Sequence, residues 1–510
     1  MTLAETRATW KEWLGLSAMA LALFMMSTDV TVLFIAQPAI AADLEPSAAQ
    51  ALWIVHVGEF LAASLVITMG RLGDLLGRRR LLIIGIAGYG LASLLAAFAP
   101  TTTTLIVARA MLGIATATVT PSALALLRSM FPDSRQFSTA FAIVMMAFSS
   151  GMVFGPPMGG FLLEHFWWGV VFLINVPFAI YLLAIARWTL PEFRDDQKVS
   201  LDPASIALSV LAIMGVVYGL QQSAEGELHV QHVLVAIAGL AAGWLFLRRQ
   251  RRLASPVLDL AVFTPRQVRV ALVALFLVMI ALTGPDVLIA PYLQAGLGLS
   301  SLETGLLLLI PAVLTIPTKL LAPVLKRFFG LARGAALSLG IAGSGYLAAG
   351  FALNLSNTTT LLVVFITGLS MVALAGAAMS LVSELVLTSA PIHRTGTMSA
   401  LQDVSSGLGS AGGIAVLGTL SAVLYRNSLS TPDELDTAVA ATAQESPGAA
   451  AELAGDLPSP VRTEFLESIS TSLNTGLQAA LFAAAGIAGG LVALVLIGLR
   501  DTETHHGGQG

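Results

Sequence analysis

The 510-residue chain is 56% apolar and only 11% charged, with a mean hydropathy of +0.84, whereas a soluble protein carries about 25% charged residues. Its recurring apolar runs of roughly twenty residues suit a hydrocarbon core about 30 Å thick and are too long for the roughly ten-residue strands of a membrane barrel. An all-α membrane bundle is therefore expected; the absence of cysteine excludes disulfides and thiolate sites, and the net charge of −4 says little because most charge lies outside the apolar runs.

About fourteen spans are expected in chain order, near 13–40, 51–70, 80–98, 104–128, 138–164, 167–188, 203–220, 231–248, 268–293, 301–323, 333–353, 359–389, 396–424 and 474–499. The first run lacks a small-residue cleavage site and reads as a span, not a removable signal. With a cytoplasmic N-terminus, the cytoplasmic connections collect Arg71, Arg78, Arg79, Arg80, Arg128, Arg248, Lys326, Arg333 and others. The opposite side holds only Arg426 and Arg462, beside acids such as Asp43, Glu225 and Asp433. That asymmetry follows the positive-inside rule and puts both termini inside a bacterial cytoplasmic membrane.

The expected organisation is a six-helix bundle over 1–190, cytoplasmic linkers with an inserted two-helix hairpin over 191–261, a second six-helix bundle over 262–500, and a tail at 501–510. The external loop 425–473 is rich in Ala, Ser and acids; Ala438–Ala443 and Val461–Ser470 suit short amphipathic helices. Both a cap over a vestibule and a solvated linker fit this composition.

Ionisable groups inside apolar runs mark the candidate chemistry, since each costs roughly 2.5–3.5 kcal/mol at the centre of a spanning helix. Asp29 lies in the first span and Asp403 in the thirteenth. The charge of such a carboxylate depends on water access and neighbours, as a proton carrier requires. The alternative is an interhelical hydrogen bond, worth typically about 0.6 kcal/mol. Arg109 in the fourth span is similarly costly, with pairing to a carbonyl as its structural alternative. Glu59 lies three residues after His56 and so shares its helical face. Asp286 follows Gly284 and Pro285, where capping of a broken helix is the competing role.

Other residues carry spacing. In Gly70-Arg71-Leu72-Gly73-Asp74-Leu75-Leu76-Gly77-Arg78-Arg79-Arg80, glycines allow a tight turn and close backbone approach, while Asp74 stands alone among bases. A purely topogenic cluster would need only the arginines. Lys326 to Arg333 is a weaker echo after the tenth span. In the fifth span Gly151, Gly155 and Gly159 fall four apart on one face, with Pro156 and Pro157 between them. Trp53, Phe34 and Tyr292 are candidate aromatics for stacking on a flat or cationic ligand.

The Gly70–Arg80 loop resembles the signature of the major facilitator superfamily, and Arg109-Ala110-Met111-Leu112-Gly113 resembles its membrane-embedded arginine motif. Gly151–Gly160 is similar to the stretch that marks antiporters within it. Asp29-Val30-Thr31, Gln37-Pro38, Leu52–Val55, Phe172–Pro177, Ala400–Asp403 and Gly407–Gly409 resemble the fourteen-helix drug:proton antiporter subfamily, the QacA-like multidrug exporters. The chain departs from that pattern where His56 and Gly407 replace acids and where the tenth span, which carries an acid in those exporters, reads Leu314-Thr315-Ile316-Pro317 and then Lys319; Glu59, Asp286 and Glu384 are the acids it has instead.

The resemblance implies a proton-coupled antiporter exporting amphipathic, cationic drugs or antiseptics. The alternative is export of a neutral or anionic metabolite, which His56 and Lys319 would suit. Asp29, Asp403, Arg109, Glu59 and Asp286 are then the proton-coupling candidates. Asp29, Trp53, His56, Glu59, Phe34, Tyr292 and Asp403 are the substrate-contact candidates. Gly70, Arg71, Asp74, Gly77, Arg78, Gly151, Gly155, Pro156 and Gly159 are the gating candidates. No phosphate loop and no His-Glu-x-x-His is present, so neither an enzyme nor an ATP-driven pump is expected. The expected partners are the substrate, protons and lipid, with no nucleic acid, no metal and no cofactor, and the expected state is a monomer.

Overall fold

The helix starts follow local capping chemistry. In this computed structural model Thr9 and Glu12 form a capping box at the first helix, Ser300 and Glu303 do so at the eleventh, and Thr101, Asp133 and Asn357 cap three others. The structure describes residues 8–46, 48–192, 202–225, 230–253, 256, 258, 260–389, 395–431, 443, 450, 453–454 and 457–499. The side chains of Phe34 and Asp74, the tail 501–510 and most of 432–456 lie outside the described residues. Among the described residues there is no strand.

The helices are α1 (Trp10–Leu44), α2 (Ala48–Leu76), α3 (Arg78–Ala97), α4 (Thr102–Met130), α5 (Ser134–His165), the short α6 (Val170–Leu173), α7 (Asn175–Thr189), α8 (Pro203–Glu225) and α9 (Val230–Gln250). There follow α10 (Arg266–Pro291), α11 (Ser301–Phe329), α12 (Leu331–Ala352), α13 (Thr358–Val372), α14 (Ala375–Thr388), α15 (Thr395–Gly413), α16 (Thr419–Ser428) and α17 (Ser459–Gly498). Among the described residues thirteen of the resulting rods are long and apolar enough to cross a membrane; the apolar part of α8, Pro203–Gly219, is shorter. A π-helical turn at Ile414–Gly418 joins α15 to α16.

The two halves of the chain pack alike. In the first, α1 lies on α5 and α7, and α3 on α4 and α7. In the second, α10 lies on α15 and α17, and α12 on α13 and α17. The turn between α2 and α3 is made at Gly77 (φ 98°) and the turn between α11 and α12 at Gly330 (φ 78°), a region that disfavours any residue with a Cβ. Each glycine N–H donates to the carbonyl four residues earlier, Gly73 or Lys326, at 3.0 Å. The echo seen in the sequence is thus a repeated backbone geometry. These turns mark one end of the molecule, called here the basic end.

The hairpin α8–α9 closes on glycines, with Gly215 against the Gly239 backbone, and α8 lies on α2 and α15. At the basic end Arg249 grips Asp202 through two hydrogen bonds of 2.6 and 2.9 Å. The last helix begins at Ser459, well before the expected limit of 474. Its early turns bury Phe465 and Ile469 in an apolar cluster with Tyr292 and Phe365. The amphipathic stretch 461–470 is therefore the start of the final rod.

Candidate functional site

The fifth-span glycines set the position of α1. A Cβ on Gly151 would overlap Ser27 and the Phe24 carbonyl, and one on Gly155 would overlap Thr31; Val32 lies 3.2 Å from the position on Gly159. Three bare faces in register let the α5 backbone lie directly on α1 over the stretch that carries Asp29. A second close crossing positions Arg109. Gly113 of α4 meets the Gly58 backbone of α2 with no room for a Cβ. One turn earlier on α4, Arg109 Nε donates to the Ile54 carbonyl at 3.1 Å.

These two approaches bring Asp29 and Arg109 together. Arg109 Nη1 donates to Asp29 Oδ2 at 2.6 Å, and their side chains are only 3% and 8% exposed. Asn175 Nδ2 reaches the other oxygen, Oδ1, at 3.4 Å and lies 3.5 Å from Ser93 Oγ. Tyr89, fully buried, stands against the same carboxylate, and the Phe172 ring lies 6.0 Å from the guanidinium. Ion, counter-ion and neutral donors thus share an apolar setting, where a charge is tolerated only if paired and hydrogen-bonded.

The remaining candidates lie elsewhere. His56 Nδ1 is 3.9 Å from Glu59 Oε2, and the imidazole stacks on Phe60 at 5.7 Å. Trp53 is 40% exposed and meets Phe60 edge-on at 6.4 Å. Asp403 on α15 is half-buried, with no ion pair or hydrogen bond among the described residues. Asp286 on α10 is exposed, two residues from Gly284, which packs against Leu417 of the π turn. Tyr292 is buried against Phe365 at 6.1 Å. At the basic end Arg78 is buried with its side chain against Gly73, Gly70 is buried and Arg71 is half-buried.

Two groupings escape a linear reading. Asn175 and Tyr89 reach Asp29 from other spans, with Ser93 behind Asn175, and only Asn175 sits in a motif visible in the sequence. Glu384 on α14 is 2% exposed; it accepts from Lys326 Nζ at 2.5 Å and from Ser138 Oγ of α5 at 2.8 Å. A carboxylate in an apolar run and a lysine in the echo loop are the signals for that cluster, but nothing in the sequence points to Ser138.

Comparison with known proteins agrees with this architecture. The Major Facilitator Superfamily pattern matches residues 19–414. The chain is 37% identical over 503 residues to the multidrug efflux pump LfrA of Mycolicibacterium smegmatis, covering 98% of each chain. It is 31% identical over 452 residues to the methyl viologen resistance protein SmvA of Salmonella typhimurium, covering 88% of this chain and 90% of that one. It is 30% identical over 421 residues to the tetracenomycin C resistance and export protein of Streptomyces glaucescens, covering 81% and 76%. Its fold is similar to that of the human organic anion transporter MFSD10, with a TM-score of 0.59, 15% identity and coverage of 95% and 99%. With a match over most of its length and relatives that are multidrug efflux and resistance transporters, this multi-pass membrane chain belongs to the Major Facilitator Superfamily.

Proposed function

We propose that the protein exports amphipathic, cationic drugs or antiseptics across a bacterial cytoplasmic membrane in exchange for protons, as a monomer with both termini in the cytoplasm. One observation carries this reading: the chain holds two membrane acids in opposite settings, Asp29 locked to Arg109 and Asp403 with neither ion pair nor hydrogen bond among the described residues. A carboxylate without a fixed partner can take a proton or a cationic substrate in turn, while the paired acid couples its charge state to the packing of α1, α4 and α5. Asp403, Asp29, Glu59 and Asp286 are the acids proposed to share this work, with Arg109 as the fixed counter-ion. The relatives' names, multidrug efflux and methyl viologen resistance, support the substrate class.

In the cycle, the two bundles 1–190 and 262–500 rock about the substrate path, and the turns at Gly70–Arg78 and the glycine face of α5 govern that motion. Ionised acid binds substrate from the inside; protonation from the outside releases it, and the protonated carrier returns with less charge to bury. Each entering proton supplies about 2.3 kcal/mol per 100 mV and about 1.4 kcal/mol per pH unit; an exported monocation costs the same 2.3 kcal/mol per 100 mV, so one-for-one exchange leaves the pH term, about a tenfold gradient per pH unit, and a steeper gradient takes more than one proton.

A second reading, export of a neutral or anionic compound, is favoured by Lys319. Its amine meets the Gly376 carbonyl at 3.4 Å and has no carboxylate partner among the described residues. Liposomes loaded with purified protein and given an inward proton gradient decide between them. Ethidium export abolished by Asp29→Asn and by Asp403→Asn is expected; gradient-driven movement of an anionic dye with none of ethidium would establish the second reading.

A further inference from the structure

Away from the Asp29–Arg109 pair, a cavity of about 190 Å³ opens where α2, α8 and α15 meet. Its walls are apolar: Phe60 from α2, Ile213 and Val217 from α8, Leu408 from α15. Glu59 is the single charged residue among its described lining. His56 Nδ1 lies 3.9 Å from that carboxylate, and the Phe60 ring in the cavity wall meets Trp53 and Tyr218 edge-on at 6.4 and 6.2 Å. Gly407 lines the same space, and a Cβ built on it would meet nothing within 4 Å. The α15 backbone at Gly407 is therefore bare toward this open-sided cavity.

The charge arrangement separates this place from the buried pair. A cation approaching Asp29 competes with a guanidinium at 2.6 Å. A cation approaching Glu59 meets a carboxylate that shares no ion pair with a lysine or arginine among the described residues. Aliphatic walls for a chain, the Phe60 ring for an onium group, and one acid for one positive charge are the complement of an amphipathic monocation. One wall belongs to the hairpin, whose two helices are held together by the glycine seam and the Asp202–Arg249 pair and whose α8 packs on α2 and α15.

We propose that this cavity is a second substrate site, where Glu59 receives the head group of an amphipathic monocation and α8 of the inserted hairpin supplies one wall of the pocket. The inference rests on the cationic-export reading and gives the hairpin a part in recognition.

The test uses the full-length protein in lipid nanodiscs and dodecyltrimethylammonium carrying a photoreactive diazirine near its head group. After irradiation, adducts are expected within 213–217 of α8 and 407–411 of α15, removed by excess unlabelled dodecyltrimethylammonium. Gly407→Leu, which fills the space, and Glu59→Gln, which removes the charge, should each cut the adduct yield at least fivefold. Val217→Phe serves as a second filling variant should Gly407→Leu fail to fold, and the competition experiment needs no variant. Adducts confined to other helices, or adducts indifferent to both competitor and filling variants, overturn the site. Export of the same cation is measured in parallel in proteoliposomes. Export without labelling here defeats the site and leaves the transport reading standing, whereas competed labelling without export defeats that reading and leaves the site.

Discussion

Gly113 of α4 and Gly58 of α2 meet backbone to backbone, at a crossing where a Cβ on either glycine would press into the other helix. The crossing sets the reach of Arg109, which lies one turn away and binds Ile54 of the same α2 segment. Gly113→Ala should destabilise the protein by about 1–3 kcal/mol, the usual penalty for overpacking a tight site. Gly489→Ala on α17, where nothing lies within 4 Å, is the matched control and should be neutral or slightly stabilising through helix propensity. Thermal unfolding of the two variants in detergent decides; equal melting temperatures would sink the idea that this crossing is tight.

The Asp29–Arg109 pair should show the asymmetry of buried ion pairs. Removing one partner leaves an uncompensated charge and costs about 3–5 kcal/mol, whereas removing both costs much less. Arg109→Leu alone is therefore expected to fold poorly, and the double variant Asp29→Leu with Arg109→Leu to regain much of the folded yield without regaining transport. A double variant no more stable than Arg109→Leu would mean that the two side chains act independently.

How much of this was legible in the sequence depends on the distance over which the information acts. Gly77 and Gly330 announce their turns because a positive φ is a local demand, and the glycine ladder of α5 announces a packing face because its period is that of one helix. Arg109 and Asp29 stand out singly because charge inside an apolar run is costly wherever it sits. Their pairing, and the approach of Asn175 and Tyr89 to Asp29, depends on how separate spans cross, which no local pattern encodes. The early start of α17 is hidden from a hydropathy window, which registers apolar runs, because Phe465 and Ile469 are buried among polar neighbours on one helical face.

The base of the inserted hairpin has a defined acid limit. The Arg249 guanidinium, and after it the Ser205 hydroxyl, hold the Asp202 carboxyl well below the usual carboxylate range. A depressed acid contributes stability that is fully present above its unfolded value, about 3.9, and is lost only as pH falls through the lower folded value. Transport between pH 5 and 8 should therefore owe none of its pH dependence to Asp202. Asp202→Asn should leave the shape of the pH–rate curve unchanged while increasing proteolysis at the 191–202 linker; a shifted curve would contradict this.

The positive charge distribution predicts where each loop lies. The chain has no cysteine, so Ser134→Cys and Ser446→Cys can be introduced singly into an unmodified background. In intact cells an impermeant maleimide should label position 446 and should reach position 134 only after permeabilisation. Labelling in the opposite order would invert the topology and move the basic end outside.

Ser138 and Glu384 join the two halves of the chain at the basic end. The Glu384 carboxylate accepts from Lys326 of its own half at 2.5 Å and from Ser138 of the other half at 2.8 Å, with Arg128 near enough to feel its charge. If the halves separate at this end during transport, the Ser138 bond must break while the Lys326 bond can persist. The two substitutions should then differ in kind. Ser138→Ala removes a hydrogen bond to a charged group, worth about 1.5–3 kcal/mol, and should shift the closed-to-open ratio by roughly ten- to a hundredfold. Glu384→Gln keeps a hydrogen-bond acceptor for Ser138 but leaves Lys326 and Arg128 without their carboxylate, so it should favour separation and also lower stability. Spin labels on cysteines introduced at Ser134 beside α5 and Ser389 beside α14 report the separation as a distance distribution. A longer population appearing in Ser138→Ala, with thermal stability held, is the expected result. An unchanged distribution in both variants would show that the contact between α5 and α14 is held by apolar packing alone, and the serine bond would have no part in gating.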